Sequence, residues 1–154
     1  MASPGARRVE VPVGIQGRQG APRSDYSSAF ELPIGAKRFL TPEQWARATF
    51  EKGPAVLRLF LAVAWKYGLG LGLGARTSPD HVQGWLISSS GSGSITLEAR
   101  SRLMVAQNIV AVNESTVVLV TVVQFNRRAG RALWAVATPV HVRVIPYLLQ
   151  RAWN

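Results

Sequence analysis

His141 sits near the end of the chain, with Trp134 seven residues before it and Tyr147 six after. An imidazole among aromatics on a helix could hydrogen-bond the head group of a ligand, or act with Tyr147 as acid or base near neutral pH. The same ring could equally be a packed core histidine, and residue types alone leave both readings open. His81 lies sixty residues away, at the start of an apolar run where exposure is expected, and no Asp or Glu stands at ligand spacing from either histidine. Such a pair makes a poor metal site, so no metal or cofactor is expected. Trp85 and Phe125 join Trp134 as aromatics that could line a cavity or simply fill a core. The candidate ligand-binding residues are therefore Trp85, Phe125, Trp134, His141 and Tyr147, and no residue is assigned a catalytic role.

Other chemistries find less support. The chain has no cysteine, which removes thiolate metal sites and cysteine nucleophiles and fits a reducing compartment. No serine lies in a G-x-S-x-G elbow, and the acidic residues form no evident pair. Gly70-Leu71-Gly72-Leu73-Gly74-Ala75 fits a loose dinucleotide fingerprint. That fingerprint works only where a strand leads into a helix whose N-terminus holds the pyrophosphate. Here a helix precedes and a strand follows, so the expected structure is a connection whose bare positions let another backbone approach.

The 154 residues carry 18 Lys and Arg against 8 Asp and Glu, a net charge of +10. This permits an anionic partner, but the arginines are scattered and not interleaved with aromatics as base-stacking modules require, so no specific nucleic-acid partner is expected. The apolar stretches at 54–73 and 132–149 are interrupted by charges, glycines or prolines, which predicts at most peripheral membrane contact. With no apolar leader after the first arginines, a cytoplasmic location is expected.

The elements that must position the candidate residues follow from periodicity. Residues 1–22 show no sustained pattern and are read as a flexible tail, with one domain over 23–154. Asp25 to Pro33 alternates as a half-buried strand. Thr41-Pro42-Glu43-Gln44 is a capping box opening a helix to about Glu51. A second helix, Ala55 to about Tyr67, is expected to turn Val56, Leu59, Phe60 and Val63 inward. Strands then run over His81 to Ser89, Ser94 to about Arg102, Leu103 to Val112 and Ser115 to Phe125, joined by links short enough to force antiparallel pairing. Asn113-Glu114-Ser115 reads as the turn between the last two. Val117 to Val123 is apolar on both faces, the mark of a strand covered twice. A long helix capped by Asn126 ends the chain. Its apolar face holds Leu133, Ala137, Val140, His141, Val144, Tyr147 and Leu148, and Pro139 and Pro146 on the opposite side are expected to bow it around a curved surface.

That order, strand, two helices, antiparallel meander, long terminal helix, is the α+β helix-grip order. Ala29-Phe30-Glu31-Leu32-Pro33, Gln44-Trp45-Ala46-Arg47, Gly84-Trp85 and the junction Gln124-Phe125-Asn126-Arg127 through Leu133-Trp134 to Pro139-Val140-His141 resemble the domain of unknown function 2867 family. The resemblance implies a START-like, Bet v 1-like domain, whose relatives bind lipids, steroids and polyketides. Three functions are weighed on that basis: a binder of a small apolar ligand between sheet and last helix, a cyclase-like or hydrolytic enzyme on the same scaffold, and a basic peripheral membrane or nucleic-acid binder.

Overall fold

Apolar parity between residues 81 and 125 builds the sheet, and the computed structural model, which describes residues 5–12, 25–35, 40–75 and 78–153, shows how it pairs. Its strands are β1 (Arg7–Val9), β2 (Tyr26–Pro33), β3 (His81–Val82), β4 (Trp85–Ser90), β5 (Ser94–Arg100), β6 (Met104–Val112) and β7 (Thr116–Phe125). All pairings are antiparallel, in the order β1-β2-β7-β6-β5-β4-β3. Between β2 and β3 come α1 (Pro42–Glu51) and α2 (Ala55–Val63), the latter widening into a π turn over Ala64–Gly68. The last element, α3 (Arg128–Trp153), packs against β2, β7 and α1. The arrangement is the expected helix-grip one.

β7 lies inside the sheet, as its two apolar faces require. Val117, Leu119 and Val123 join the main core under the helices, while Val118, Val120 and Val122 form a second cluster on the other face with Ala29 and Ile109. On β5, Ile95, Leu97 and Ala99 are buried, and on its other face Thr96 is buried too, Glu98 half-buried and Arg100 exposed. The Asn113 turn is real: its Oδ1 accepts from the backbone of Ser115 and Thr116 and from the Thr116 hydroxyl.

The capping box of α1 forms as written, Thr41 Oγ1 accepting from the Gln44 amide at 3.1 Å and Gln44 Oε1 from the Thr41 amide at 2.9 Å. One side of α1 buries Trp45, Thr49 and Phe50. Another carries Arg47, which donates to Glu43 and Glu51 and to the carbonyls of Pro79 and His81, tying the approach to β3 onto the helix.

Four expectations are corrected. The stretch read as a tail contributes β1, which pairs with β2, and Val9 and Val11 pack on the second apolar cluster; residues 1–4 and 13–22 lie outside the described residues. The strand expected from His81 to Ser89 is two strands, split by Gln83 (φ 49°) and Gly84 (φ 90°), the left-handed pair of a tight hairpin. On α2 the inward face is Leu57 and Leu61, continued by Trp65, and Val56, Leu59, Phe60 and Val63 point to solvent. The helix is apolar nearly all round, so periodicity could not choose its face. Finally α3 begins at Arg128; the Asn126 amide donates to the Leu103 carbonyl at 2.8 Å.

The glycine-rich link behaves as its spacing implies. Leu69 and Leu71 insert into the core, while Gly72 bridges to Arg100 with its amide 2.8 Å from that carbonyl and the Gly74 amide meets the Gly84 carbonyl, also at 2.8 Å. β3, not a helix, follows it.

At Gly130 in the first turns of α3, an added methyl would meet the carbonyl oxygen of Leu103. Alanine's better helix propensity, about 1 kcal/mol, would be outweighed by displacing backbone, a cost of about 1–3 kcal/mol. Gly130→Ala is therefore expected to lower the urea midpoint. Gly68→Ala, with no atom within 4 Å of the new methyl, is expected to leave the midpoint unchanged or raise it.

Candidate functional site

β2, β6 and β7 carry apolar side chains toward the helices at alternate positions, and each breaks that run once. Ser28 falls between Tyr26 and Phe30, Asn108 between Ala106 and Val110, and Thr121 between Leu119 and Val123. Sheet register sets the three side by side, Ser28 opposite Thr121 and Thr121 opposite Asn108. The result is a polar row across three adjacent strands in an otherwise apolar face. All three are buried. The Thr121 hydroxyl donates to Asn108 Oδ1 at 2.7 Å, leaving the Asn108 amino group as a donor.

α3 crosses above this row. His141 reaches down so that its Nε2 lies 3.5 Å from Ser28 Oγ, a long hydrogen bond. The hydroxyl donates when the imidazole proton is on Nδ1 and accepts when it is on Nε2. Around the ring stand Trp134, at 5.2 Å between centroids, and Tyr26, at 6.2 Å, and these two aromatics meet edge to face at 5.3 Å. Burial pushes the His141 pKa down to about 4, and the Arg8 charge adds to the effect. At neutral pH the imidazole is thus uncharged.

Beside His141 a cavity of about 280 Å³ opens between α2, α3 and the sheet. Its wall is aliphatic and aromatic: Leu61, Trp65 and Leu69 on one side, Leu133, Ala137 and Val144 on the other. Asn108, Thr121 and His141 bring the polar groups, and Ser28 lies behind His141, outside the lining. The indole nitrogens of Trp85 and Trp134 are buried, with no hydrogen-bond partner among the described residues. Trp45 Nε1 shares that state away from the void, so an orphaned indole alone marks nothing.

Of the five residues singled out from sequence, the structure brings Trp85, Trp134 and His141 to this cavity. Trp85 stacks edge to face on Trp65 at 5.4 Å. Phe125 and Tyr147 are elsewhere. Phe125 ends β7 beyond the void, its ring under the Arg131 guanidinium at 5.1 Å, and Tyr147 is about half exposed on the outer side of α3. His81, expected to be exposed, is half-buried with its ring against Gly74. Ser28, Asn108 and Thr121 went unremarked in the sequence, although each stands as a single polar residue on the apolar parity of its strand. No protein-family model, curated protein or solved structure matches this chain.

Burial of a neutral His141 has a stability consequence. Below its ordinary value of 6.5 the unfolded chain takes up a proton that the folded chain refuses down to about 4, so stability present above pH 6.5 is lost as pH falls through that window. Urea titrations of the native protein and His141→Gln across the window are expected to differ in slope. The native protein should lose at most about 3 kcal/mol more than the variant, and equal slopes would place the ring in solvent.

Proposed function

We propose that the protein binds a small apolar molecule bearing a hydrogen-bond acceptor, such as the carbonyl of a short lipid or polyketide, in the cavity under α3. The observation that carries this reading is the aliphatic void of about 280 Å³ under α3, whose otherwise apolar wall holds the Asn108 amide, its oxygen engaged by Thr121 and its amino group left as a donor. An acceptor on a bound ligand that meets the Asn108 amino group would add a hydrogen bond worth about 0.5–1.5 kcal/mol to the apolar burial. The volume lies at the small end for ligand pockets and suits a single acyl chain or compact ring system better than a two-chain lipid. Membership of the START-like family, and a cytoplasmic setting, belong to this proposal.

A hydrolytic or cyclase role draws less support. Ser28 and His141 are spaced like a loose nucleophile and base, but no Asp or Glu side chain lines the cavity, and the serine lies behind the imidazole. The contact orients His141 more readily than it activates Ser28.

Native mass spectrometry and thermal shifts with medium-chain fatty acids and small polyketides are expected to find a ligand that stabilises the protein. Ala137→Phe, projecting a ring into the void, is expected to weaken binding at least about tenfold with the circular dichroism spectrum unchanged. Asn108→Leu, which keeps the side chain's size and removes a donor from the lining, is expected to cost about tenfold for a carboxylic acid and little for the matching hydrocarbon. Failure to take up any of these compounds, or equal affinity in Ala137→Phe, overturns the reading.

A further inference from the structure

The cavity mouth is set in a surface that a water-soluble domain does not ordinarily leave bare. On α2 and the turn after it, Val56, Leu59, Phe60, Val63 and Tyr67 follow the spacing of one helical stripe, and Val56 is 82% exposed, Leu59 60% and Tyr67 75%. On α3, Val136, Val140 and Tyr147 form a second stripe, with Val136 77% exposed. Phe60 from the first stripe and Val136 and Val140 from the second also line the cavity, so the two stripes meet at its opening. Scattered exposed apolar residues are ordinary; a continuous field of them around an opening marks a binding face.

The charges around this field have one sign. No Asp or Glu occurs from Lys52 to Pro79 or anywhere after Glu114. Lys66 flanks the α2 stripe and Arg143 stands between Val140 and Tyr147 on α3, and neither joins an ion pair among the described residues; Arg58, on the side of α2 nearer the core, is half-buried and donates its Nε to the Gly53 carbonyl at 3.1 Å. Lys66 Nζ lies 5.5 Å from the Tyr67 ring centre, an aromatic and cationic pairing of the kind found at membrane interfaces. By length and composition α3 would even suffice to cross a membrane, and 22% of its most apolar window is buried. Its packing on β2 and β7 instead makes it a surface helix with one apolar flank left over.

From this we infer that the α2 and α3 face docks on the surface of an anionic lipid bilayer, with aliphatic side chains entering the headgroup region and Lys66 and Arg143 meeting lipid phosphates. A second copy of the chain is a poorer occupant, because it would set two faces of the same positive sign against each other. Docking brings the cavity mouth to the bilayer, where an apolar ligand can pass without crossing water. That use rests on the proposed ligand binding, whereas the docking stands on the surface alone.

Flotation of the full chain with vesicles of phosphatidylcholine, with and without phosphatidylglycerol, tests the proposal. Binding is expected with phosphatidylglycerol at physiological salt and about tenfold less without it. The double variant Leu59→Glu, Val63→Glu, which touches no cavity-lining position, is expected to lose at least about tenfold, as is Lys66→Glu with Arg143→Glu. Ala137→Phe is expected to float as the native protein does, so a failure of ligand uptake and a failure of docking are read separately. No flotation, or flotation indifferent to Leu59→Glu, Val63→Glu, overturns the proposal. So does a dimer in light scattering that the same double variant disperses, which would give the face to a second copy.

Discussion

The structure depends on a strand that has no wet face. β7 presents Val117, Leu119 and Val123 to one side and Val118, Val120 and Val122 to the other, so it must lie within the sheet and be covered twice. Its neighbours, β2 and β6, are fixed by that need, since only flanking strands satisfy its backbone on both edges. One face receives α1 and α3. On the other, Val9 of the edge strand β1 and Val11 just beyond it pack against the second cluster. Pairing Arg7 with Glu31 at 3.1 Å adds little, because the arginine side chain is mostly in solvent.

A polar row inside such a sheet constrains whatever lies above it. Large aliphatic side chains pressed onto Ser28, Thr121 and Asn108 would strip them of partners without supplying new ones. α3 answers with His141, which meets Ser28, and with Ala137, which is too small to fill the space over the rest of the row. The void is thus the consequence of a small residue and a polar one on the helix above a polar row on the sheet. It lies where the packing rule for the rest of the core is suspended.

What the sequence made legible were features whose signal is local. The Thr41 and Gln44 capping box needs only four consecutive residues, and the double-sided β7 and the glycine link need only their own parity. Features that depend on distant partners were not legible. Arg7–Val9 is a strand because β2 has a free edge, not because Arg-Arg-Val favours one. Phe125 and Tyr147 look like cavity residues by type, yet one lies past the end of the void and the other faces outward. The break in parity at Ser28, Asn108 and Thr121 was readable residue by residue, but only the register shows that the three breaks are one row.

The misreading of α2 has the same cause as its behaviour. A helix apolar nearly all round offers no preferred face to periodicity, and in the fold Leu61 is its one buried residue, helped by Leu57 and then Trp65 in the following turn. Were α2 to settle further onto the sheet, Phe60 would close the mouth it now borders and the void would begin to fill. Holding the helix by a single line of contacts leaves both the opening and the outer apolar stripe. The two therefore share one origin: more apolar surface on α2 and α3 than one face of the sheet can cover, around a patch of sheet that is better left uncovered by side chains.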